Sequence, residues 1–207
     1  MGWINANFAS SPDPFYANIA PLFDQINMMT YSMADSENHG WSGWQSWHSS
    51  ALSGETGSTP SSVQSSANYY LAGGVPGSRL GVGIGFYGTC WSGVTVPHQS
   101  GGSVLASDNT ISFENIMTRY YSAALRKYDN AAQAPYLSST TAFGSMSPQC
   151  TFLSYEDAQS VAAKGAYSRQ NKLGGTIIWT IGEGHQAELP VGQRDPLLEA
   201  VRAAFRP

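Results

Sequence analysis

Apolar positions recur along the chain in two rhythms. Short runs of four to eight residues alternate with stretches in which apolar side chains return every three or four places, as expected for strands followed by helices. Residues 3–8 form the first strand-like run. Asp13-Pro14 then supplies a cap and a first-turn proline, and Phe15, Ile19 and Leu22 follow at helical spacing. Ile26-Asn27-Met28-Met29-Thr30-Tyr31 reads as a buried strand, followed by a long polar loop rich in tryptophan. Thr59-Pro60 predicts the start of a second helix, with Val63, Ala67, Tyr70 and Leu71 on one face and Gly73-Gly74 at its end. The stretch 80–87 is a strand with glycine at alternate places, a pattern that predicts close approach of a neighbour.

Residues 89–153 break the alternation with a glycine-rich stretch, an amphipathic helix over 113–124 and short polar turns, and are predicted as an inserted α+β subdomain. Beyond them, Ser154-Tyr155-Glu156-Asp157 resembles a capping box. The helix it opens carries Ala158, Val161, Ala162 and Gly165 on its inner face and ends at Gly174-Gly175. The last strand is 176–181, and Asp195-Pro196 starts a final helix burying Leu197, Leu198, Val201 and Phe205. Strands and helices in βα order predict an α/β fold with a parallel sheet and covering helices, either doubly wound or part of a barrel. Gly81-Val82-Gly83-Ile84-Gly85 lies inside a strand and is not a dinucleotide fingerprint.

Composition narrows the function classes. With 42% hydrophobic and 12% aromatic residues the chain can bury a core, which argues against disorder. Charged residues are only 12%, so Ser, Thr, Asn, Gln and Gly supply the polar surface. A net charge of -4 argues against a nucleic-acid partner. No stretch approaches the ~18 apolar residues of a membrane helix. The first residues, Met1-Gly2-Trp3-Ile4-Asn5, lack the basic and apolar regions of a signal peptide. Cys90 and Cys150 form one bridge or remain two buried thiols. The four histidines make no H-x-x-x-H pair, so no zinc site is readable, and no cofactor is expected.

Three runs resemble successive strands of glycoside hydrolase family 18, the chitinases. They are Asn27-Met28-Met29-Thr30-Tyr31, Gly83-Ile84-Gly85-Phe86-Tyr87-Gly88 with Trp91, and Gly174-Gly175-Thr176-Ile177-Ile178-Trp179. Phe152-Leu153-Ser154-Tyr155-Glu156-Asp157 through Lys164-Gly165 resembles the approach to the family's last strand. The resemblance implies a (β/α)8 TIM barrel of which this chain supplies strands five to eight. Residues 1–88 and 154–207 would form the half-barrel, and 89–153 the small α+β domain inserted before the last strand. Outside that insertion roughly 140 residues remain, near half of the ~250 that a complete barrel takes. The family's acidic run D-x-x-D-x-D-x-E, which supplies the general acid, is absent from this chain; Asp35-Ser36-Glu37 and Glu156-Asp157 have other spacing.

The resemblance also implies an activity: retaining hydrolysis of β-1,4-linked N-acetylglucosamine polymers, chitin and by extension peptidoglycan, in which the substrate's own acetamido group is the nucleophile. Tyr31 matches the tyrosine that hydrogen-bonds the acetamido carbonyl, Met29 the methionine lining that pocket, and Trp179 the tryptophan floor of the cleavage subsite. Tyr87 and Trp91 match a motif lining adjoining subsites. The family places Asp directly after this tyrosine; Ser32 stands there, and Asp35 is the candidate substitute. Glu183, just past the last strand, is the best carboxylate for a general acid within the chain. Trp41, Trp44 and Trp47 form a dense aromatic loop that predicts a sugar-binding wall, with mutual packing as the alternative.

Half a barrel exposes parallel edges and an apolar inner face, so the chain is expected to form a homodimer that closes the barrel or to meet a separate N-terminal half. Competing expectations are a non-catalytic chitin-binding module and an inactive truncated fragment. By resemblance the site of action is extracellular.

Overall fold

A computed structural model describes residues 1–7, 11–34 and 43–206. Three strands, β1 (Ile26–Met28), β2 (Leu80–Gly85) and β8 (Gly175–Trp179), form a parallel sheet in the order β1-β2-β8. Its helices are α1 (Pro14–Ile19), α2 (Val63–Ala72), α4 (Ala158–Gln170) and α5 (Pro196–Phe205). Between β2 and α4 the chain builds β3 (Tyr87–Ser92), β4 (Ser103–Ser112), α3 (Phe113–Asn115), β5 (Arg126–Asp129), β6 (Ala134–Phe143) and β7 (Cys150–Ser154). These five strands make an antiparallel sheet in the order β4-β3-β7-β6-β5.

The alternate glycines of β2 sort the two faces of the parallel sheet. Leu80, Val82 and Ile84 are fully buried and pack with Met28, with Val63, Ala67 and Tyr70 of α2, with Val161 of α4 and with Leu197 and Val201 of α5. Gly81 and Gly83 point the other way. A Cβ on Gly81 would meet the Asn27 amide, and one on Gly83 would stand 2.5 Å from the Met28 carbonyl and 2.8 Å from the Tyr31 ring. The glycines therefore make room for side chains of β1 and the residues after it. The helices cover one face of the sheet; the face bearing Met29 and Trp179 leaves both about half exposed.

Several expectations are corrected. The run 3–8 is not a strand over its described part. Only Gly2 bridges to Met29, because Ile4 donates its N–H to Ser66 Oγ and Ala6 to the Pro60 carbonyl, turning the backbone away from β1. The second helix starts at Val63, where Ser62 and Ser65 form a reciprocal cap, while Thr59 closes a turn on Thr56. The cap of α4 is Asp157, which accepts from Gln159 and Ser160. Ser154 is engaged by Ser49 N–H and His48 instead. The helix expected over 113–124 ends at Tyr120 in a single π turn. The polar turns of the inserted region are mostly strands, hidden from pattern reading because β4 runs Ser-Val-Leu-Ala-Ser-Asp-Asn-Thr-Ile-Ser without clean apolar alternation. Cys90 of β3 and Cys150 of β7 are joined as a disulfide across neighbouring strands, with Cα atoms 5.4 Å apart. No helix among the described residues is long and apolar enough to cross a membrane.

Candidate active site

The C-terminal ends of β1, β2 and β8 converge on one mouth. Thr30, fully buried, pins the end of β1: its Oγ1 donates to the Gly83 carbonyl at 3.0 Å and accepts the Gly83 N–H at 2.9 Å. Tyr31 follows and lies over Gly83 and Gly85, with its ring edge-on to Tyr87 at 6.0 Å. Ser32 adopts φ +55°, a left-handed turn that carries its hydroxyl to within 2.5 Å of Tyr87 Oη. On the far side, Trp179 pairs in register with Gly85, and its carbonyl accepts the Phe86 N–H. Trp179 is 52% exposed and Met29 is 46% exposed, so both leave apolar surface open on this face.

Glu183 stands in the short 3₁₀ turn Ile181–Gly184, which packs against β4 and α3. Only 8% of it is exposed, and neither carboxylate oxygen has a hydrogen-bond partner. Burial pushes its pKa up to about 7, with Asp108 adding in the same direction. The Thr180 N–H lies close enough to oppose that shift slightly but does not reach hydrogen-bond geometry on either oxygen. Tyr31 is shifted upward for the same two reasons, burial first and Asp108 second, so its hydroxyl keeps its proton and can donate.

Asp108 is the functional candidate that sequence reading missed. It sits in β4 at φ +52° and delivers negative charge to both Tyr31 and Glu183 from the inserted sheet. No motif marks it, since a lone Asp in a Ser/Thr/Asn run carries no signal until the sheet folds over the mouth.

The aromatic loop is corrected in part. Trp47 is fully buried; its Nε1 donates to the Ser61 carbonyl at 2.8 Å and its ring lies against His98 at 4.5 Å. Trp91 is 1% exposed and packs on Phe152. Both belong to a second core between residues 43–62 and the antiparallel sheet, which needs an apolar cover, and neither can touch a sugar. Trp44 is half-buried against the same cluster. Tyr87 is 3% exposed, with its ring edge-on to Tyr31 and its hydroxyl against that of Ser32. Asp35 and Trp41 lie outside the described residues. Among the described residues no group of three His, Cys, Asp or Glu side chains is placed to hold a metal ion.

The profile of the family described as Glycosyl hydrolases family 18 matches residues 6–184. The chain is 27% identical over 217 aligned positions to Chitinase A1 of Niallia circulans, an alignment covering 93% of this chain and 29% of that protein. It superposes with TM-score 0.67 and 25% identity on a family 18 N-acetylglucosaminidase of Paenibacillus barengoltzii, over 91% of this chain and 51% of that one. A Group IV chitinase of Ostrinia furnacalis, solved with allosamidin, superposes with TM-score 0.71 at 22% identity over 98% of this chain and 55% of its own. These likenesses assign a TIM-barrel-type fold. The chain spans about half the length of the solved structures and under a third of the Niallia protein.

Proposed function

The chain belongs to family 18 of the glycosyl hydrolases, and from that premise we propose that it acts on β-1,4-linked N-acetylglucosamine chains, chitin foremost and peptidoglycan by extension, as a substrate-assisted retaining glycosidase. The observations that support this reading are that Tyr31, Met29 and Trp179 stand at the C-terminal ends of parallel strands, and that Asp108 acts on both Tyr31 and the buried Glu183, whose pKa is pushed up to about 7. Trp179 stacks on the apolar face of a pyranose ring. Met29 lines the acetamido pocket. The Tyr31 hydroxyl donates to the acetamido carbonyl and holds it in line behind the anomeric carbon. Glu183 gives its proton to the leaving oxygen. The family's aspartate after the tyrosine is replaced by Ser32, with Asp35 as the candidate replacement for its charge.

Trp179→Ala tests the floor. Half of the residue is already exposed, so folding is expected to persist while retention on chitin beads falls about tenfold or more. Unchanged retention overturns the assignment.

The reading places residues 1–88 and 154–207 as the half-barrel and 89–153 as a subdomain walling the mouth. The outer edge of β8 and the uncovered face of the sheet favour completion by a second copy of the chain, the alternative being a separate N-terminal half. Exposed Phe15, Leu22, Phe23 and Ile181 add apolar surface that association would cover. Light scattering at low micromolar concentration is expected to give twice the chain mass; a folded monomer overturns the dimer. The disulfide supports an extracellular setting, since such bonds persist in oxidising compartments.

A non-catalytic binder of the same polymers is the second reading, favoured by the missing acidic run. It keeps Trp179-dependent retention but shows no turnover in the unsubstituted protein.

A further inference from the structure

Two charged side chains lie in the interior, away from the mouth. Lys164 of α4 is fully buried and Glu156 is 2% exposed. The Lys164 ammonium donates to the Ser50 carbonyl at 2.7 Å, to Ser50 Oγ at 2.8 Å and to Glu156 Oε1. An ammonium has three protons and no acceptor, so these three bonds use it up. Glu156 Oε2 accepts from Ser160 Oγ at 2.5 Å. Ser50 Oγ, having accepted from Lys164, has one proton left, and it donates that proton to the Thr30 carbonyl at 2.6 Å.

Thr30 is the residue before Tyr31. On the other side of Tyr31, the Met33 N–H donates to the Ser49 carbonyl at 2.9 Å. Residues 49 and 50 thus hold the backbone on both flanks of the tyrosine, and the one fully buried lysine nitrogen sits directly behind them. A buried ion pair contributes little net stability, because the cost of removing two charges from water offsets their attraction. Apolar side chains of equal volume would hold α4 in place as well. What the pair adds is direction: an ammonium with every proton assigned allows Ser50 one orientation.

We propose that Lys164, acting through Ser50, is a positioning residue that sets the place of Tyr31 at the mouth. The catalytic consequence rests on the reading of Tyr31 as the acetamido ligand, but the structural consequence does not. In the unsubstituted protein the segment 29–33 is held as one unit. Ser50→Ala removes the bond to the Thr30 carbonyl and leaves Lys164 paired with Glu156 and the Ser50 carbonyl. Lys164→Met combined with Glu156→Gln removes both charges and keeps the volume.

Amide hydrogen exchange followed residue by residue decides the proposal. Ser50→Ala is expected to raise exchange over 29–33 at least tenfold and clearly more than over β2, with a modest fall in the urea midpoint for the lost buried bond. The Lys164→Met, Glu156→Gln protein is expected to show the same local rise, and adding Ser50→Ala to it to cause no further change. An unchanged rate over 29–33 in Ser50→Ala, or an equal rise throughout the chain, overturns the proposal. If the charge-free protein does not fold, the Ser50→Ala arm still decides. Binding of chito-oligosaccharide, read by titration calorimetry, is expected to weaken about tenfold in Ser50→Ala. Absence of any binding by the parent protein rejects the carbohydrate reading and leaves the exchange result to judge the positioning role.

Discussion

Glu183→Gln is expected to lower turnover of a chromogenic chito-oligosaccharide by about 10²–10⁴-fold, the usual contribution of a positioned general acid, with little change in binding. The amide has nearly the shape of the acid but no proton to give. The parent's pH profile should carry the same signature. With its pKa pushed up to about 7, Glu183 is protonated below that value and spent above it, so kcat should hold on the acid side and fall roughly tenfold per pH unit beyond about 7. Asp108→Asn removes the nearby negative charge and should move that alkaline limb to lower pH. Stability follows the same sign. Because the folded state favours the protonated carboxyl, its contribution is present below the ordinary carboxylate range and is lost as pH rises through about 7. The Glu183→Gln protein should lack that loss in urea titrations across pH 5–8. Parent-like turnover in Glu183→Gln rejects this carboxyl as the acid.

Replacing both Cys90 and Cys150 by Ser is expected to lower unfolding stability by about 4 kcal/mol, the chain-entropy value for a closed loop of this size. The bridge closes a loop, with a sequence separation of 60, that includes β4, β5 and β6, and β4 and the second half of β6 are rich in Ser and Thr and largely outside the core. Urea denaturation with and without reductant measures the change; a midpoint that does not move refutes it. The site should respond as well. Asp108 rides on β4, so a loosened sheet no longer holds its charge near Glu183, and the alkaline limb should shift as in Asp108→Asn.

The βα rhythm and two of the helix starts were legible because they depend on neighbours along the chain. Asp13-Pro14 and Asp195-Pro196 mark real helix starts, and Leu80, Val82 and Ile84 take the buried face their alternation predicts. The alternate glycines announced a close approach but not what approached, which is Asn27 and Tyr31. Local pattern failed where partners are distant. Ser154 looked like a helix cap, yet its hydroxyl is engaged by Ser49 and His48, more than a hundred residues earlier. Trp47 looked like part of a sugar wall, since an aromatic run carries no record of which surface it will meet, and Trp91 matched a subsite motif; both are buried in the core that residues 43–62 form with the antiparallel sheet.

The linear order of residues determined by itself the later βα units, the buried face of α2 and the family, all of which reside in spacing of side chains a few places apart; on α4 the expected inner residues Ala158 and Ala162 are exposed, while Ser160, Lys164 and Ser168 are buried. Only the tertiary structure decided that Asp108 reaches Tyr31 and Glu183, that the cysteines join, and that Lys164 stands behind Thr30. Coulomb fields, disulfide bonds and buried hydrogen bonds act between atoms near in space, whatever their separation along the chain.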